Sequence, residues 1–112
     1  MILFPNINIM IRQTETYIKY KHLFVDKTEK EVFLLWYNLY ATKTEYSILC
    51  ALLDNIKAPI FADQIIAIAN LDFDKSNLAF HISNINSKAK VIGNRPLIKN
   101  IVKIGYFLNE EM

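Results

Sequence analysis

The sequence predicts an α+β fold in a single domain: a small antiparallel sheet, then three helices, then a β-hairpin. Three observations carry that reading. Residues 1–41 show partial apolar–polar alternation and are rich in β-branched and aromatic side chains. A helix-capping pattern followed by helical spacing begins at Thr42. Gly93, Asn94 and Pro96 then break the chain ahead of two short β-rich runs. The length of 112 residues suits one domain, and 53% hydrophobic with 21% charged residues is enough to build a core.

Taken in order, INIMIRQ (7–13), TYIKYKHLFVD (16–26) and EKEVFLLWYNLY (29–40) read as strands. Phe33, Leu35, Tyr37 and Leu39 would share one side of the third. Polar breaks at Gln13–Thr16 and Asp26–Lys30 make an antiparallel meander the simplest arrangement. Thr42 and Glu45 form a capping box, each side chain satisfying a free backbone N–H of the other. Behind it Tyr46, Leu49, Leu52 and Leu53 keep helical spacing, and the helix should end near Asn55. Pro59 leads to a second helix over 62–70 with Ile65, Ile66 and Ala69 inward. The loop LDFDK opens a third helix over 76–90. LIKNIVKIGYFL (97–108) reads as two strands turning around Val102 and Lys103. The parts are thus 1–41, 42–92 and 93–108 of one domain. Three compact helices ending in a hairpin make a winged helix-turn-helix, whose third helix can enter a DNA major groove.

Charge is segregated. From Lys75 to Leu108 the cations are Lys75, Lys88, Lys90, Arg95, Lys99 and Lys103, and no carboxylate interrupts them. Such a segment either faces a polyanion or is a solvated, Lys-rich surface. In LAFHISNINSKAK (78–90), Leu78, Ile82, Ile85 and Ala89 form a stripe that wants burial. His81, Asn84, Asn86, Ser87, Lys88 and Lys90 are left for the other side. Asn84 and Asn86 are poor helix formers with no packing gain. Their amides match adenine, accepting from N6–H and donating to N7, although two polar residues on a wet face would look the same.

Other classes find little support. Cys50 is the only cysteine and sits in an apolar run, so an intrachain disulfide is excluded and a buried thiol expected. VFLLWYNLYA (32–41) is too short to cross a bilayer, and MILFPNINIM does not read as a signal peptide. A cytoplasmic protein is expected, with no membrane association and no cofactor. There is no glycine-rich phosphate loop, no paired-cysteine metal site and no nucleophile–histidine–acid set, so no enzyme is expected. Phe24, Phe33, Trp36 and Tyr37 read as core and sheet packing.

The chain from Ala41 to Leu108 resembles the winged-helix effector domain of OmpR/PhoB-type response regulators, the output half of two-component systems. ATKTEYSILCALLDN looks like that family's first helix, and APIFADQIIAIA stands in the place of the second. LAFHISNINSKA is similar to its recognition helix VDVHISRLRRKL, keeping His81, Ile82, Ser83 and Lys88. IKNIVKIGYFL is similar to IRTVRGVGYRL, keeping Gly105 and Tyr106. The leading strands fit the family's four-stranded amino-terminal sheet. The strands leave no room for a receiver domain, which implies an excised effector domain or a regulator free of aspartyl phosphate. Four arginines that the family aims at DNA are absent, their positions held by Ser76, Asn84, Asn86 and Val102. The wing glycine is Lys103, and Asn100 replaces threonine. Arginine forks grip phosphates and guanine edges as asparagine cannot, so affinity or specificity should differ.

The resemblance implies double-stranded DNA as partner. Asn77, His81, Asn84 and Lys88 would face outward from the third helix, joined by Ser76, Asn86 and Lys90. Lys99, Asn100 and Lys103 would reach the adjacent groove, and Tyr106 would combine hairpin packing with a phosphate contact. Relatives bind direct repeats as tandem dimers, and loop 70–75 occupies the place that approaches RNA polymerase. A protein-interaction module of the same fold is the alternative.

Overall fold

A computed structural model describes residues 11–111; the expected strand residues 7–10 lie outside them. The order is β1 (Ile11–Gln13), β2 (Tyr17–Tyr20), β3 (Leu23–Asp26), β4 (Glu31–Leu34), β5 (Tyr37–Asn38), α1 (Lys43–Asp54), α2 (Ala62–Ile68), α3 (Lys75–Gly93), β6 (Ile98–Ile101) and β7 (Gly105–Leu108). Strands β1 to β5 form an antiparallel meander and β6–β7 a separate hairpin. The α+β winged-helix architecture is therefore present, with five leading strands among the described residues instead of four.

The extra strands correct the reading of residues 16–40. TYIKYKHLFVD and EKEVFLLWYNLY are each a hairpin, not a strand. Tyr20 pairs with Leu23 and Leu34 with Tyr37, so each connection is two residues long. Leu35 and Trp36 both have positive φ, 52° and 70°. Those values match the twist of a tight hairpin, but the position is usually filled by Asn or Gly. The turn flips the pattern: Val32, Leu34 and Leu39 are buried, whereas Tyr37 lies 68% exposed. Trp36 is 75% exposed and is no core residue either. The other face carries a Tyr17–Phe24–Phe33 aromatic ladder that Trp36 flanks, with centroids 5.5–6.2 Å apart.

The inner sheet face (Ile18, Tyr20, Leu23, Val25, Val32, Leu34) packs into one core with Ile48, Leu49 and Leu52 of α1, Ile65 of α2 and the α3 stripe. Burying each Leu or Ile removes apolar surface worth about 1.5–3 kcal/mol. The capping box at α1 forms as expected: Glu45 N donates to Thr42 Oγ1 at 3.1 Å and Thr42 N donates to Glu45 Oε1 at 2.9 Å. Asn55 caps its carboxyl end. Of the inward residues expected on α2, only Ile65 is fully buried. Cys50 is half-buried instead of buried.

Two features fix the hairpin to the helices. Ile60 and Tyr106 exchange backbone hydrogen bonds of 3.0 and 2.8 Å just before α2. That approach requires Gly105, whose φ is 122° and whose position leaves no room for a Cβ, which would lie 2.6 Å from the Ile60 carbonyl oxygen.

Candidate nucleic-acid interface

Helix α3 runs longer than the spacing predicts, with a side-chain cap at its start and a backbone cap at its end. Asp74 Oδ1 accepts from Ser76 N and Asn77 N, both at 3.1 Å, and from Ser76 Oγ at 2.8 Å. The Ser76 hydroxyl, with the Asn77 amide, holds the Asp74 carboxyl below its ordinary range. At the far end Asn94 adopts the left-handed conformation, φ 63°, and its N–H reaches Lys90 O. Leu78, Ile82, Ile85 and Ala89 are buried, as their spacing predicts.

The polar residues of α3 divide into two shoulders and a ridge. Asn86 sits on the shoulder beside the hairpin and is not on the outer face. Its Oδ1 accepts from Leu97 N at 3.0 Å and Ile98 N at 2.8 Å, and its Nδ2 donates to Ile98 O at 2.9 Å. All the strong hydrogen-bonding capacity but one donor is engaged with backbone. Lys88 occupies the opposite shoulder. Its Nζ lies 2.7 Å from Glu45 Oε1 and donates to Tyr40 O at 2.8 Å. Glu45 is 1% exposed, so this ammonium neutralises a buried carboxylate instead of facing outward. His81 is half-buried, stacked on Phe73 at 5.2 Å with the rings 21° apart, and Phe80 meets its edge. It too turns towards the α2–α3 connection. Ser76 is exposed and engaged in the cap.

The outward ridge follows from 100° per residue measured from the buried stripe. It runs through Ser76, Phe80, Ser83, Ser87 and Val91, with Asn77 and Asn84 along one side and Lys90 along the other. All are exposed except the half-buried Asn84. Phe80 and Val91, 62% and 87% exposed, escape a reading that searches for polar residues. Their position opposite Leu78 and Ile85 was the available signal.

In the hairpin, Lys99, Asn100 and Lys103 are exposed as expected, while Tyr106 is half-buried and packs against the core. The tip carries more than lysine, because Ile101, Val102 and Ile104 are also exposed. Lys75, Asn100, Ile101, Lys103, Phe61 and the acidic Asp63 line one open groove of about 420 Å³. The start of α3 and the hairpin therefore open to a common side. Of the six cations in the acid-free run, Lys75 pairs with Asp63, Lys88 with Glu45 and Arg95 with Glu111. Lys90, Lys99 and Lys103 have no carboxylate within ion-pair distance among the described residues. No group of three or more potential metal ligands occurs among those residues, and no helix there is long and apolar enough to cross a membrane.

No protein-family model and no curated protein matches the sequence. Solved structures do. The DNA-binding domain of the response regulator AdeR, in complex with an intercistronic region, superposes with a TM-score of 0.72 at 23% identity, covering 81% of this chain and 97% of that one. The RstA DNA-binding domain of Klebsiella pneumoniae, in complex with the RstA box, gives 0.69 at 18% identity, covering 86% and 99%. A streptococcal redox sensor described as evolved from two-component response regulators gives 0.72 at 20% identity. The match takes in 88% of this chain but only 44% of that protein. At these identities the likeness is one of architecture: the chain has the winged-helix fold of response-regulator DNA-binding domains.

Proposed function

We propose that the chain is a DNA-binding transcriptional regulator that lays the α3 ridge in the major groove and sets the hairpin against the adjacent groove. The observation that carries this is the shared groove, where Lys75 at the start of α3 and the hairpin residues Asn100 and Lys103 open to one side. The one carboxylate lining it, Asp63, is paired with Lys75, and residues 75–108 contain none. Two neighbouring structures of the same fold were determined with DNA bound. Lys90, Lys99 and Lys103 supply phosphate attraction. Asn84 and Asn77 are the adenine readers, and Phe80 and Val91 suit thymine methyl groups. Asn86 and Lys88 take no direct part, because hairpin backbone and Glu45 hold them. Loop 70–75, with Asp72 exposed beside the helix start, is the surface offered to RNA polymerase, and the cytoplasm is the compartment where such contacts occur.

Selection of duplexes from an AT-rich random pool, followed by gel retardation across a salt series, tests this. The expected outcome is an enriched adenine-bearing site. Replacing Lys99 and Lys103 together by alanine lowers the slope of log affinity against log salt by about 2. Asn84→Ala costs about 1–3 kcal/mol on the selected site and little on random duplex. Absence of retardation at any salt refutes the proposal. The protein-interaction module would then stand, favoured by the exposed Trp36, Tyr37 and Tyr40 beside the sheet edge.

A further inference from the structure

We infer that the hairpin tip is an apolar wedge that enters the DNA minor groove and unstacks a base step, so that the protein bends its site. This rests on the DNA-binding reading and adds to it a mode of recognition. Val102 is 79% exposed, Ile101 45% and Ile104 50%, and all three lie within four consecutive positions. The only polar side chain among them is Lys103, whose φ of 67° and the Ile104 N to Ile101 O bond of 2.9 Å make the turn tight. Exposed aliphatics at the apex of a hairpin contribute nothing to the core and cost solubility, which marks a contact surface. The charge around them selects the partner. Lys99 and Lys103 are unpaired among the described residues, no carboxylate lies between Lys75 and Leu108, and Asp63, which lines the groove beside the tip, is paired with Lys75. A cationic collar round an aliphatic point matches a groove walled by phosphates with stacked bases at its floor. Aliphatic side chains inserted there wedge base steps apart.

A wedge must also be stiff, or the hairpin yields before the bases do. This one is held at three places. Asn86 binds the start of β6 through Leu97 and Ile98. Tyr106 is bridged to Ile60. Asn109 Nδ2 donates to Pro96 O at 2.9 Å, and Asn109 N donates to Leu97 O at 2.8 Å, which closes the base of the hairpin. The tip therefore keeps a fixed height relative to α3, which the major-groove contact sets.

The test uses a duplex recovered by selection, in circularly permuted fragments and with 2-aminopurine at successive steps beneath the hairpin. The wild-type protein is expected to give position-dependent mobility, with a bend of about 20–90°, and to brighten one 2-aminopurine position. The double variant Val102→Ser, Ile104→Ser is expected to retard the duplex without bending or brightening it. Lys99→Ala weakens binding and keeps the bend. Val102→Thr retains the side-chain shape and reduces brightening, which serves if the double variant fails to fold. Wild-type binding without a bend or a bright step overturns the wedge and leaves the regulator reading intact. Variants that bind and bend like wild type overturn it too, and assign the apolar tip to a protein partner. No retardation by the wild-type protein removes both readings.

Discussion

The shoulders of α3 and its ridge are built from the same residue types and do opposite work. Asn86 and Asn84 are two positions apart, yet the first is consumed by three hydrogen bonds to the hairpin and the second keeps its amide free of any protein partner among the described residues. Lys88 and Lys90 divide the same way, one neutralising Glu45 and the other unpaired. The difference teaches that polarity along a helix does not measure availability. A polar side chain about 80° from the centre of the buried stripe reaches neighbouring elements, and one at about 110° or beyond reaches only solvent or a partner. The acid-free run is therefore less cationic towards a ligand than its sequence suggests, since carboxylates from outside the run cancel half of it.

The most severe way to break this division is at the buried ion pair. Lys88→Met leaves the Glu45 carboxylate enclosed with only the Thr42 N–H beside it. Breaking a buried pair costs about 3–5 kcal/mol, and the lower value applies because Lys88 keeps a third of its side chain in water. Urea denaturation should show a loss of about 3 kcal/mol, with DNA affinity of the folded fraction unchanged. Adding Glu45→Gln should restore part of the loss. A stable Lys88→Met with weakened DNA binding would move Lys88 to the ridge and reverse the assignment. Charge reversal at Lys88 is uninformative about DNA, because it sets two carboxylates against each other.

The next contrast pits the two asparagines directly. Asn86→Ala strips acceptors from Leu97 N and Ile98 N and should destabilise by about 2 kcal/mol. Amide exchange at those two positions should accelerate first. Asn84→Ala should leave stability within about 0.5 kcal/mol, as surface changes do, and lose base discrimination instead. Equal stability losses would erase the distinction between shoulder and ridge.

How far the sequence could be read tracks the range of the interactions. The α1 capping box is local, three residues apart, and both side chains sit where the pattern puts them. The α3 stripe and the hairpin at 98–108 are equally local. The two hairpins in the amino-terminal sheet were missed because Lys21–His22 and Leu35–Trp36 contain none of Gly, Asn, Asp or Pro. Backbone left-handed at a leucine and a tryptophan is imposed by strand pairing, not by local preference. Asn86 and Lys88 were misplaced for a related reason: their partners lie 11 to 48 positions away in sequence. No periodicity encodes a contact of that range. Asp74 could have been found, since an aspartate before Lys-Ser-Asn is an ordinary helix start.

That cap gives the smallest expected effect and the finest probe of the ridge. Hydrogen bonds from Ser76 and Asn77 favour the charged carboxylate, as does the positive end of the α3 dipole, so Asp74 titrates below its unfolded value. A group depressed in the folded state contributes stability above its unfolded pKa, near 3.9, and loses it as pH falls through the folded value. The amide chemical shifts of Ser76 and Asn77 should therefore hold steady down to about pH 4 and move below it, while those of the buried Leu78, Ile82 and Ile85 follow later. Asp74→Asn keeps a capping oxygen and should flatten that acid dependence with little change at neutral pH. Movement that persists in Asp74→Asn would locate the titration elsewhere, and the start of the ridge would then owe its shape to the Asp63–Lys75 pair, an exposed contact at 3.8 Å.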